Sequence, residues 1–312
     1  MPTVSDTLKR IIADQEARII TGQAAVVQTL EEVRQQVAME LLTAPTDSFS
    51  AYRLQQTLAA IDQHLATWAG GARSIISSGL NDAWSAGMEQ LPELAGAARM
   101  YLGQFGISTD VLDQLQAFSW GKINGVAGEA ATKIKAELTL GMLGQKTSQE
   151  VAQAIVGDLP ETLPMIKGRN VFKSVAERAE VITGTELGRA FSMAAQKSLE
   201  AGFESVPGLQ KMWLHSGHPK VGRQIHLLMH GQVREIDAPF YRTYPGDYGV
   251  QFPRDPNAPI SEVIRCGCTH VPHHPDWGTA QDFANVFDDR QDKLWKGKKY
   301  ISKGETDGET DQ

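Results

Sequence analysis

Cys266 and Cys268 are the only cysteines in the chain, and a single glycine, Gly267, separates them. Side chains at i and i+2 leave an extended strand on the same side, so the two thiols face one way. Far upstream stands His226, three positions after Arg223. Two thiols joined by an imidazole from a distant segment have two ordinary uses. They can hold a metal ion, because zinc takes thiolate sulfur and imidazole nitrogen in sets of four when its role is structural. Alternatively, both cysteines stay reduced and buried, with the imidazole hydrogen-bonded to a loop carbonyl. An oxidised pair is disfavoured by the i, i+2 geometry. For zinc, Cys266, Cys268 and His226 supply three ligands, and the fourth is open among His218, His230 and His270.

Other chemistries find less support. His226 and His230 would share one face of a helix, but Leu227-Leu228-Met229 between them lacks the glutamate that a hydrolytic zinc helix uses as its base. His230-Gly231 reads as a turn instead. Neither a Gly-rich phosphate loop nor a Gly-x-Ser-x-Gly elbow occurs. Arg223, Lys220 and Lys211 form a modest basic cluster around Trp213, either a solvated face or a phosphate contact. Glu186 is expected to pair with Arg189 or Arg223, and the second pairing would pin a helix to the strand region. No catalytic set emerges, and the expectation is a protein that is not an enzyme and takes no small-molecule substrate.

The elements that must position these residues fall into two regions. Residues 1–145 read as helix. Leu30, Val33, Val37 and Leu41 form one stripe ending at Thr43-Ala44-Pro45, and Leu54, Leu58, Ile61, Leu65 and Trp68 form a second that stops at Gly70-Gly71. A third helix from about Ser74 to Gln90 is limited by Pro92; a short one follows Asp110 to Phe118, and another spans Ile123 to Leu143. Thr147 and Glu150 have capping-box spacing. Pro160 and Pro164 interrupt the path before a long helix from about Val171 to Ala201. Beyond Gly202, short apolar runs such as 211–214 and 232–236 alternate with Gly, Pro and Asp turns, which is α+β composition with short strands and long loops. The end of the chain is an acidic, apolar-poor tail expected to be mobile.

Bulk composition sets outer bounds. Hydrophobic residues make up 41% and charged residues 21%, so a sizeable core is available. A net charge of −7 argues against coating nucleic acid as the main task. The sequence has neither a run of eighteen apolar residues nor an amino-terminal signal pattern, so no membrane association is expected and synthesis in a reducing cytoplasm is.

The ordered residues of the last half resemble the phage Mu F-like domain of minor head, or head morphogenesis, proteins. Those domains carry a helix with a Thr-Glu pair followed by alanines, here Thr185-Glu186 with Ala190, Ala194 and Ala195. A Lys-x-Trp strand and an Arg-x-x-His step follow, here Lys211-Met212-Trp213 and Arg223-Gln224-Ile225-His226. Gly231, Phe240, Phe252-Pro253-Arg254-Asp255-Pro256 and the cysteine pair complete the order over about residues 147–272. Gly267 stands where the family has arginine between the cysteines, with Arg265 just before them. A Pro-Gly-Asp loop falls early, at 245–247.

The resemblance implies an α+β chain in three parts: a helical assembly or docking region at 1–145, a small mixed α/β Mu F-like domain at 146–280, and a C-terminal extension at 281–312. It implies a minor head protein of a tailed bacteriophage, made in the host bacterial cytoplasm and incorporated in the virion. Its expected partners are the portal protein, the capsid interior and, in some members, packaged DNA. Mu F-like domains also occur joined to toxins, but only about forty residues follow Cys268, short for an added catalytic domain.

Overall fold

The computed structural model describes residues 2–43, 51–103, 105–142, 145–156, 174–215, 223–241 and 249–277. His218, Lys220, Pro160, Pro164, Pro245-Gly246-Asp247 and the acidic tail lie outside them. The architecture is α+β, with long helices first and small antiparallel sheets after.

Three long helices, α1 (Val4–Thr43), α2 (Ala51–Ala97) and α3 (Asp110–Met142), carry continuous apolar stripes. α1 buries Leu8, Ile12, Val26, Leu30, Val33 and Val37. α2 runs straight through Gly70-Gly71 and Pro92, so neither is the stop that local propensity predicts. A glycine in a helix costs up to about 1 kcal/mol against alanine. Burial of Leu65, Trp68, Ala72, Ile76 and Leu80 across the glycine pair outweighs that cost. α3 likewise joins the two helices expected at 110–118 and 123–143. Ser119 interrupts its apolar stripe, but the hydroxyl donates to the Leu115 carbonyl at 2.7 Å, and the helix continues.

The capping box ahead of α4 (Ser148–Val156) forms as expected: Thr147 N–H donates to Glu150 Oε2 at 2.7 Å, and Glu150 N–H to Thr147 Oγ1 at 3.2 Å. α5 (Val175–Gly202) begins later than Val171, because Ser174 caps it by accepting from Glu177 N–H at 3.1 Å. This helix is buried along most of its length against α1, α2 and α3. Close approach is required: a Cβ at Gly87 would lie 2.4 Å from the Phe191 carbonyl oxygen.

The C-terminal part supplies β1 (Gln210–Leu214), α6 (Gln224–Met229), β2 (Val233–Arg234), β3 (Phe240–Tyr241), β4 (Gly249–Val250), α7 (Ile260–Val263) and β5 (Thr269–His273). The sheet order is β2-β1-β5, antiparallel throughout, and β3 pairs with β4. Alternation along β1 divides two cores. Met212 and Leu214, with Val271 of β5, join the helical core, so α1–α5 and one sheet face share a single apolar interior. Trp213 points the other way into a small core of Met229, Phe240, Val250, Cys266 and Cys268. Among the described residues no helix is long and apolar enough to cross a membrane.

Candidate metal centre

His226 rides on α6, a helix of less than two turns held at its start by Arg223, whose guanidinium donates to the Ile264 carbonyl. That bond fixes α6 to the segment that leads into the cysteines. α7 ends in a tight turn, with Cys266 N–H donating to the Val263 carbonyl at 3.2 Å. Arg265 sits in the turn at φ 55°, a left-handed conformation that redirects the chain just before Cys266. Both cysteines precede β5 rather than lying on it, and both are reduced and buried.

The imidazole meets both sulfurs. His226 Nδ1 is 3.5 Å from Cys266 Sγ and 3.5 Å from Cys268 Sγ. In either tautomer Nδ1 makes one well-aligned hydrogen bond, whereas one ion can serve all three atoms. A tetrahedral zinc at ordinary bond lengths separates its sulfur and nitrogen ligands by ~3.6 Å, which matches both contacts. The three donor atoms lie within 4.8 Å of one another, and all three residues are buried. The group can therefore bind a metal ion.

Its surroundings suit thiolates. A hydrogen bond from Cys268 holds the Cys266 thiol well below its usual range, against the penalty of burial, with His226 and Arg254 adding to the effect. Burial and the neighbouring Cys266 push Cys268 well above its range, while Arg254 and the Trp213 indole N–H pull it back. Among the described residues that indole N–H makes no hydrogen bond of ordinary geometry, and it lies near enough to Cys268 to favour the thiolate. Trp213 also packs edge-on to His226 with centroids 5.7 Å apart and to Phe240 at 5.3 Å. On the far side of the imidazole, Glu262 Oε2 is 3.9 Å from His226 Nε2, beyond direct hydrogen-bond reach but on the side where an orienting carboxylate stands behind a metal-binding histidine.

A buried ionic chain ties this centre to α5. Glu186 is fully buried and pairs with Lys122 at 2.7 Å and with Arg189. Of the two partners expected for Glu186, Arg189 pairs with it and Arg223 does not, being engaged with the Ile264 carbonyl. Instead Arg189 Nε donates to the Arg254 carbonyl at 3.1 Å, and Arg254 donates to the carbonyls of Cys268 at 3.2 Å and Gly188 at 3.3 Å. A Cβ at Gly188 would come within 2.4 Å of the Arg254 guanidinium carbon. Burial lowers the pKa of Arg254, and the cysteine sulfurs oppose that shift. Arg254 and Glu262 were not singled out from sequence. The Phe-Pro-Arg-Asp-Pro string marked the first, and nothing marked the second.

Three further expectations are revised. His230 stays outside the donor group, its Nδ1 accepting the His215 backbone N–H at 3.0 Å. His270 also stays outside, stacked on Phe252 with centroids 6.1 Å apart. Among the described residues, Lys211 does not join a surface cluster around Trp213. Lys211 is fully buried, its ammonium donating to the Gln251 carbonyl and side-chain oxygens at 2.9 Å each. Burial lowers its pKa to about 8.

Comparison with family models, curated proteins and solved structures finds no match to this chain.

Proposed function

We propose that a structural zinc ion held by Cys266, Cys268 and His226 closes the C-terminal αβ unit, and that the chain is a non-enzymatic minor head protein of a tailed bacteriophage. The observation that carries the metal reading is the pair of equal 3.5 Å contacts from one imidazole nitrogen to two sulfurs. Zinc suits two thiolates and an imidazole better than magnesium or calcium, which take oxygen ligands. A small second core gains most from such a clip, since its few apolar side chains bury little surface alone.

The viral role rests on the ordered residues from Thr185-Glu186 to Cys266-Gly267-Cys268. Their convergence in space agrees with that resemblance. Glu186, Trp213 and Arg223 act structurally in this reading: Trp213 and Arg223 shape the centre, and Glu186 anchors the helix behind it. The long N-terminal helices are the docking region, directed to the portal and the capsid interior, with DNA contact a secondary role. Co-expression with a phage portal protein tests this directly. Retention of the chain on purified portal rings is expected, and its complete absence from rings and assembled heads contradicts the viral role while leaving the metal centre untouched.

A further inference from the structure

Three donors leave one corner of a tetrahedron open, and the strand register points to the residue that fills it. In the β1–β5 ladder, Trp213 stands opposite His270 and Leu214 opposite Thr269. The ladder ends at that pair, and extending its register one step beyond the strands would bring His215 opposite Cys268. Paired positions share a face, as do residues two apart on a strand, so His215 and Cys268 turn to the side where Trp213 packs with both cysteines. Cβ atoms of such cross-strand pairs lie about 4.5–5.5 Å apart, a separation an imidazole and a thiolate can span through one ion.

The local setting agrees. His215 is only 2% exposed, and its backbone N–H bond to His230 Nδ1 holds the end of β1 against the turn after α6. Its ring nitrogens stand outside the three-residue donor group, so ligation turns the side chain towards the Cys268 sulfur.

We propose that His215 is the fourth ligand, completing a set of two cysteines and two histidines with Cys266, Cys268 and His226. The proposal rests on the metal-centre reading above. The test is Co(II) titration of the full chain, followed by Zn(II) competition against a chelator, for wild type, His215→Ala, His215→Cys and His226→Ala. Wild type should give intense tetrahedral ligand-field bands and sulfur-to-cobalt charge transfer. His215→Ala should keep the charge transfer, lose the wild-type ligand-field pattern, and lose zinc affinity by more than the ~10–100-fold typical of an outer-shell partner. His215→Cys should restore tetrahedral bands and add charge transfer from a third sulfur.

Wild-type bands and affinity in His215→Ala overturn the proposal and leave the three-donor centre standing. Should the alanine variant fail to fold, the cysteine variant decides: charge transfer no greater than wild type overturns the assignment. A wild-type chain that takes up no cobalt or zinc removes the centre itself, and the fourth ligand with it.

Discussion

Glu186 sits fully buried between Lys122 and Arg189, and Arg189 reaches on to the backbone of Arg254. Removing one member of a buried ionic set leaves the others uncompensated, at about 3–5 kcal/mol. Glu186→Ala should therefore lose about that much stability in chemical denaturation; an unchanged midpoint would mean that the chain of charges carries no weight. Glu262→Gln makes a softer test. It keeps the shape behind His226 but weakens the carboxylate, and zinc affinity should fall about 10–100-fold with the fold intact. At this scale the donors were readable because two lone cysteines and a spaced histidine are rare residue types in a telling pattern. Glu262 and Lys122 were not, since surface-type residues acquire such roles only through contacts that distant segments create.

Helix identity followed from apolar periodicity, whereas helix ends did not. Local breakers at Gly70-Gly71 and Pro92, and a gap in the apolar pattern after Phe118, suggested boundaries, yet the buried stripes of α2 and α3 continue across them. Tertiary burial overrode propensity there, and a hydroxyl bond back to Leu115 repaired the third site. The capping box at Thr147 and Glu150 was legible because it is wholly local. The glycine pair offers a prediction in turn. A Cβ at Gly70 or Gly71 meets nothing within 4 Å, so alanine at each should stabilise the chain by about 0.4–1 kcal/mol in thermal melts. Lower melting temperatures would show that α2 is not continuous there. The division of β1 into one residue set for the helical core and another for the cysteine core was hidden, because the run at 211–214 is apolar on both faces apart from the buried Lys211.

The whole molecule couples a long helical bundle to a small sheet unit through α5, and its response to acid should report that coupling. His270 is completely buried, and among the described residues neither ring nitrogen has a hydrogen-bond partner. Burial drops its pKa to about 3 from 6.5, with Lys211 adding to the shift. The unfolded chain thus binds more protons in that window, so stability should fall as pH drops from 6.5 towards 3. His270→Leu should flatten that slope in denaturation measured across pH; an unaltered slope would clear this histidine of responsibility. The folded unit as a whole depends most on what the two sulfurs and the imidazole hold. Metal content of the purified chain decides that. About one zinc per chain is expected, lost in Cys268→Ser and in His226→Ala. Wild-type protein carrying less than about a tenth of an equivalent, prepared without chelator, would contradict the account.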